Sequence, residues 1–380
     1  MKFIKIFLLT LFLLLCNQLY ELDIYDGISF MSLNSPNMSN STYDVNVGSI
    51  CSIPKSCNLS LLSARNDLPN RLQWNENNGY CGEVSFIIAG LYYGQYISQY
   101  DARAIASQNG SQNLASSQLL LGINDAYAAK AMHLKTTSWT NSNNTNSFLT
   151  WVKSQVVAEN PVIIGLYTNE NFFDNSSDLD AGETEYDHIV TVTGFSSYNS
   201  LSDTMTYYPN DIIEFSDNGL WTGTSSTPQY NFISNVNIIQ GNRQQANSPN
   251  GSIYTLSNNT QNYGIAITGI IDESNETLPV RISTNQNFES PEIIDGSTIR
   301  PSSTRITLTI TVSNLTPGTK YILYRYNKME SVPNSSINSA ALQAFQAWPV
   351  SITSGSTFKM SQVINSNEIA VYRAVPVSAP

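Results

Sequence analysis

The feature that most restricts the fold of this chain is a change of hydrophobic period near Pro161. Before it, apolar residues recur at helical spacing: Val84, Ile87, Ile88 and Leu91 follow the i, i+3, i+4, i+7 pattern of one helix face. The same reasoning predicts helices over 101–108, 113–131 and 146–159, the last carrying Phe148, Leu149, Trp151, Val152, Val156 and Val157. Pro161 lacks a backbone donor and ends the helical stretch. After it come short apolar runs bounded by turn residues: Val162 to Tyr167, His188 to Phe195, and Ile212 to Ser216 stopped by Asp217-Asn218-Gly219. Helices first and strands second predict an α+β domain with an antiparallel sheet, not a βαβ repeat.

A second region follows. Residues 241–252, Gly-Asn-Arg-Gln-Gln-Ala-Asn-Ser-Pro-Asn-Gly-Ser, read as a linker. Residues 253–380 then read as all-β, with strands at Ile265–Ile270, Val280–Ser283, Arg305–Val312 and Lys320–Tyr326 and one interrupting helix at Ser339–Ala347. The turn from Val312 to Lys320, followed by Tyr321, is similar to the E–F corner of fibronectin type III sandwiches, which implies a β-sandwich.

The first residues predict export. Met1-Lys2-Phe3-Ile4-Lys5 is basic, and Ile6–Cys16 is an apolar run too short to span a bilayer, so residues 1–19 read as a signal peptide. Residues 20–68 read as an irregular leader in which Cys51 and Cys57 are close enough to pair. The expected location is extracellular, or the lumen of the secretory or lysosomal pathway. Asn-x-Ser/Thr patterns at Asn37, Asn40, Asn58, Asn109, Asn143, Asn175, Asn250, Asn258, Asn275, Asn314 and Asn334 fit a glycoprotein. Acidic residues outnumber basic ones, 29 to 18, which argues against a nucleic-acid partner. The acidic run Asp174–Asp180 reads as a solvated loop, not a metal site.

With Cys16 removed and Cys51 paired to Cys57, Cys81 is left as a single thiol, and an odd cysteine in an exported protein is an intermolecular bridge or a reactive group. A lone cysteine on an apolar helix is most often a small core residue. Cys81, however, sits at a predicted helix start after Asn78-Gly79, where the helix dipole favours a thiolate. Only two histidines are present. His133 lies near the end of a helical pattern and reads as a partner of that helix's C-terminus; His188 opens a strand and is the candidate base.

The string Gly79-Tyr80-Cys81-Gly82-Glu83, followed by Asp187-His188-Ile189-Val190, resembles the papain-like cysteine peptidases, in particular their compact peptidase-C39-like members. The resemblance covers roughly residues 70–235 and implies a central helix packed on a small antiparallel sheet, within a domain over 69–243. It implies Cys81 as nucleophile and His188 as general base, then acid. It places the group that orients His188 after the next strand, at Asp217 or Asn218, with Asn210 and Asp211 earlier. It implies an amide donor to the oxyanion ahead of the cysteine. Gln73 stands eight positions upstream and Asn75 six. Trp221 would shield the pair from water.

The expected activity is therefore hydrolysis of peptide or amide bonds through an acyl-enzyme, with no cofactor and a peptide or protein as partner. Transglutaminase-like acyl transfer uses the same groups. The rival expectation is an inactive binding or adhesion protein on the same scaffold, touching a cell surface or matrix through its C-terminal domain.

Overall fold

The structure, a computed structural model, describes residues 61–74, 77–108, 110–140, 143–168, 186–218, 231–235, 254–257, 261–286, 291–294, 298–339 and 341–377. The signal peptide, the Cys51–Cys57 pair, Asn75, Trp221 and the acidic run at 174–180 lie outside these residues. Four helices are described: α1 Cys81–Tyr92, α2 Gln99–Ser107, α3 Asp125–Ala131 and α4 Thr145–Val157. The strands are β1 Leu62–Arg65, β2 Gln95–Tyr96, β3 Leu134–Ser138, β4 Val162–Thr168, β5 His188–Ser197, β6 Ile212–Ser216, β7 Asn231–Asn235, β8 Tyr254–Thr255, β9 Gly264–Ile270, β10 Val280–Thr284, β11 Pro291–Ile294, β12 Thr298–Pro301, β13 Arg305–Val312, β14 Tyr321–Tyr326, β15 Gln346–Val350, β16 Phe358–Asn365 and β17 Ala370–Pro376. All pairings are antiparallel, and the class is α+β.

The largest sheet runs β3-β9-β4-β5-β6-β7, with β1 also paired to β5 and β8 to β4. Alternation gives this sheet two buried faces. Val162, Ile164, Val190, Val192 and Ala266 point to one face and meet Phe148, Leu149, Val152 and Val156 of α4. Ile163, Ile189, Ile265 and Ile267 point to the other and meet α1, α2 and α3. Helix α1 lies within this second layer, and every residue after Cys81 in it is buried. A helix apolar on all sides has no solvent face to offer, so it becomes the centre of the packing.

Residues 60–380 form one compact unit, and strand pairing moves the boundaries expected from sequence. Residues 62–65, assigned to the leader, pair with β5, and Arg65 bonds Glu214 on β6. Strands β8 and β9, assigned to the second domain, pair with β4 in the first sheet. Conversely, β2 from the helical region joins β15-β14-β17. The 253 boundary therefore falls just ahead of strands that complete the first sheet. Linker-like composition does not say which sheet the chain after it joins.

The remaining strands form a three-stranded sheet β10-β13-β16 and the four-stranded β15-β14-β17-β2. Ile306, Leu308, Ile310 and Val312 alternate inward from β13 and share a core with Leu323, Val371 and Val375. Tyr321 accepts a hydrogen bond from the Thr316 backbone N–H at 2.8 Å, which fixes the corner before β14. Among the described residues of 339–347 the expected helix is absent: they hold only a short 3₁₀ turn at Ala341–Gln343, and from Gln346 they pair with β14. Leu342 is fully exposed, so the apolar spacing there has no core to face.

Candidate active site

Three consecutive left-handed residues deliver the chain into α1: Asn77 (φ 50°), Asn78 (φ 65°) and Gly79 (φ 77°). Asn and Gly are the residues that tolerate this region. Their carbonyls are held from outside. Arg103 on α2 donates from Nη1 to Asn77 O (2.9 Å) and from Nη2 to Gly79 O, while Gln118 Nε2 donates to Asn78 O (3.0 Å). The Arg103 guanidinium lies 3.6 Å over the Tyr80 ring and pairs with Glu83 at 2.7 Å, in the first turn of α1. Both charges are fully buried, and Glu83 Oε1 also accepts from Leu119 N. Burial raises the Glu83 pKa against the opposing pull of Arg103.

Cys81 is the first residue of α1 and forms no disulfide. Gly82 behind it packs on the backbone: a Cβ there would stand 1.9 Å from Leu119 O. No rotamer relieves a clash between a Cβ and a carbonyl. Gly82→Ala is therefore expected to cost more than about 4 kcal/mol, which urea unfolding monitored by tryptophan fluorescence would detect.

His188 is the first residue of β5 and is fully buried. Its Nε2 lies 3.4 Å from Asp217 Oδ1, immediately after β6, the strand paired with β5. Burial works to lower the imidazole pKa; hydrogen bonds to Asp217 and to Cys81 overcome it and carry the pKa up to about 10. The helix head, the strand start and the end of the neighbouring strand thus converge on one place.

Asn218 does a different job. Its Nδ2 donates to Cys81 O (3.1 Å) and Ile189 O (3.0 Å), and its Oδ1 accepts from Gln73 Nε2 at 3.0 Å. Of the two alternatives, Asp217 is the one that faces His188. Gln73 Oε1 accepts from Tyr80 N at 2.8 Å, so its amide braces the entry to α1 from both ends. Asp211 lies 3.6 Å from Lys153 of α4 and takes no part, and Asn210 sits in the exposed turn before it. His133 adopts φ 55° just past α3, and its ring reaches Asn334 Oδ1 (2.8 Å) and Met329 O (2.9 Å). Its ring clasps the loop after β14, while its backbone N–H donates to Lys130 O at 3.0 Å and closes the end of α3.

Two tyrosines not singled out in the sequence belong to the site. Tyr254 of β8 donates its hydroxyl to Asp217 Oδ2, and its ring stacks on His188 with centroids 6.3 Å apart. Tyr186 packs closely against Gly165, donates to Leu121 O at 3.0 Å, and has its pKa raised by burial and by the Cys81 charge beside it. The only sequence signal for Tyr186 is its place directly before Asp187-His188. Tyr254 carries none, because it follows the linker.

Tyr254→Phe keeps the ring and removes one donor from the Asp217 carboxylate. A carboxylate with fewer donors attracts an imidazolium more strongly, so the His188 titration is expected to move to higher pH. With only two histidines in the chain, proton NMR of the ring signals reads this directly, His133→Gln giving the assignment.

Among the described residues no group of three or more His, Cys, Asp or Glu side chains could hold a metal ion, and no helix is long and apolar enough to cross a membrane. In comparisons with family models, with curated proteins and with solved structures, the chain matches none.

Proposed function

We propose that the chain is an exported thiol hydrolase with a papain-like site that cleaves peptide or amide bonds. The observation that carries this reading is the alignment of Cys81, His188 and Asp217 from three separate elements. His188 takes the Cys81 proton, and Asp217 steadies the imidazolium that forms. The sulfur adds to the carbonyl carbon. The resulting oxyanion lies against the helix start, where the first N–H groups of α1, Cys81 among them, have no partner within the helix. His188 then returns the proton to the leaving amine. Water, deprotonated by the same ring, hydrolyses the thioester. No step calls for a cofactor.

Buried Tyr254 over the His–Asp pair supplies the water shield that the papain-like pattern assigns to a tryptophan. Gln73 departs from that pattern, since its Nε2 is turned to Asn218. This favours a second reading, a binding or adhesion protein whose oxyanion site is incomplete.

One experiment separates them. The full chain is treated with a peptidyl chloromethyl ketone and digested, and a peptide library is incubated in parallel with and without a labelled amine. A hydrolase modifies Cys81 and cleaves the library; an acyl transferase incorporates the amine. A folded chain that does neither is the binding protein.

A further inference from the structure

The largest sheet carries α1 on one face and α4 on the other, and the α4 face holds a charged pair that the chemistry of Cys81 does not use. Lys153, within α4, is 1% exposed, and Asp211, directly before β6, is 3% exposed. Nζ lies 3.6 Å from Oδ2, just beyond hydrogen-bond reach. It stands over the rings of Phe195 (5.6 Å) and Tyr208 (5.0 Å), and the gap beside the pair has no room for a water molecule. Asp211 N donates to Tyr208 O at 3.1 Å, which closes the turn before β6, and Ser197 of β5 hydrogen-bonds the carboxylate. Both partners are therefore held in place by the backbone that carries them.

As an ion pair this one is poorly made. The cost of burying two charges is offset only when close contact and further hydrogen bonds satisfy the remaining protons and lone pairs. Arg103 and Glu83 meet that condition. They lie 2.7 Å apart, Arg103 also donates to the carbonyls of Asn77, Gly79 and Gln112, and Glu83 accepts from Leu119 N. Lys153 Nζ donates to no acceptor, and Asp211 Oδ1 accepts from no donor. Burial raises the Asp211 pKa against the pull of Lys153. What the geometry does supply is an amine and a carboxyl held side by side in a dry place. Groups so oriented react as if each were present at about 10⁵–10⁸ M.

We propose that Lys153 and Asp211 condense after folding into an isopeptide bond that ties α4 to the turn before β6. Over the reaction the ammonium gives two protons to Oδ2, Nζ bonds to Cγ, and the Cγ–Oδ2 bond breaks to release one water. The positive and negative charges cancel, and nothing is oxidised or reduced. The amide leaves no charge in the core between α4 and the sheet, so the desolvation cost of the ion pair disappears. The reaction is independent of Cys81 and His188.

The test is peptide mass spectrometry on the folded full chain. Chymotrypsin is the protease, because it cuts at the aromatic residues between positions 153 and 211. One branched peptide carrying both residues is expected, lighter than its two arms together by one water. Cys81→Ala is expected to give the same branched peptide. Its loss there would make the bond a product of acyl transfer by Cys81 and overturn the proposal as stated. Lys153→Arg keeps the positive charge without the amine nucleophile, so only separate peptides are expected. If that variant does not fold, the wild-type chain decides alone. Recovery of Lys153 and Asp211 only on separate, unmodified peptides would overturn the proposal, as would Lys153 joined to any other carboxyl.

Discussion

Replacement of His188 by alanine is expected to slow iodoacetamide labelling of Cys81 at neutral pH on the order of 10²-fold. In the intact site the positively charged ring is hydrogen-bonded to Cys81 and compensates the charge of a thiolate. Without the ring only solvent base remains, so the rate should recover in alkaline buffer, where ordinary thiols ionise. The loss should be large at pH 6–7 and small above about pH 9. Equal rates in both proteins across that range would remove His188 from the site. The same residue makes a stability prediction. Its folded pKa, about 10, lies above the ordinary value of 6.5, so charging it favours the folded state. That contribution is complete below pH 6.5 and is lost as pH rises through about 10. Urea titrations should therefore show wild type losing stability across this window more steeply than His188→Ala.

Arg103→Met is expected to destabilise the fold by about 3–5 kcal/mol. Methionine keeps the stem volume but strands the Glu83 carboxylate, which is 1% exposed. It also releases the carbonyls of Asn77 and Gly79 from their donors, in a turn of three left-handed residues. Addition of Glu83→Gln in the same chain should recover part of the loss, because the stranded charge is then gone. A double-mutant cycle in urea reads both effects. Near-additive losses would show that the pair contributes little and that the turn holds itself.

How much of this was legible in the sequence follows from the range of each interaction. The helix at 145–157 and the strands at 162–168, 188–197 and 212–216 fall within two residues of their predicted ends, because hydrophobic period is a local signal. Cys81, His188 and Asp217 were legible as types in order: a thiol at a helix head, a histidine at a strand start, an acid after the next strand. Glu83 left a trace as a charge within an apolar helix, but its partner Arg103 stands on another helix with no mark of the pairing. Tyr254 could not be found, since a two-residue strand beyond a linker carries no period. The helix predicted at 339–347 shows the converse, a local pattern with nothing to pack against.

By itself the sequence determined the α+β class and the residue types available for thiol chemistry, since period and side-chain identity are properties of the chain alone. Tertiary structure decided which acid faces His188, that Gln73 braces a turn, and that residues 254–270 close the first sheet. The physical reason is that hydrogen bonds and strand edges are satisfied by whichever groups the fold brings near, and nearness in space is not written in nearness along the chain.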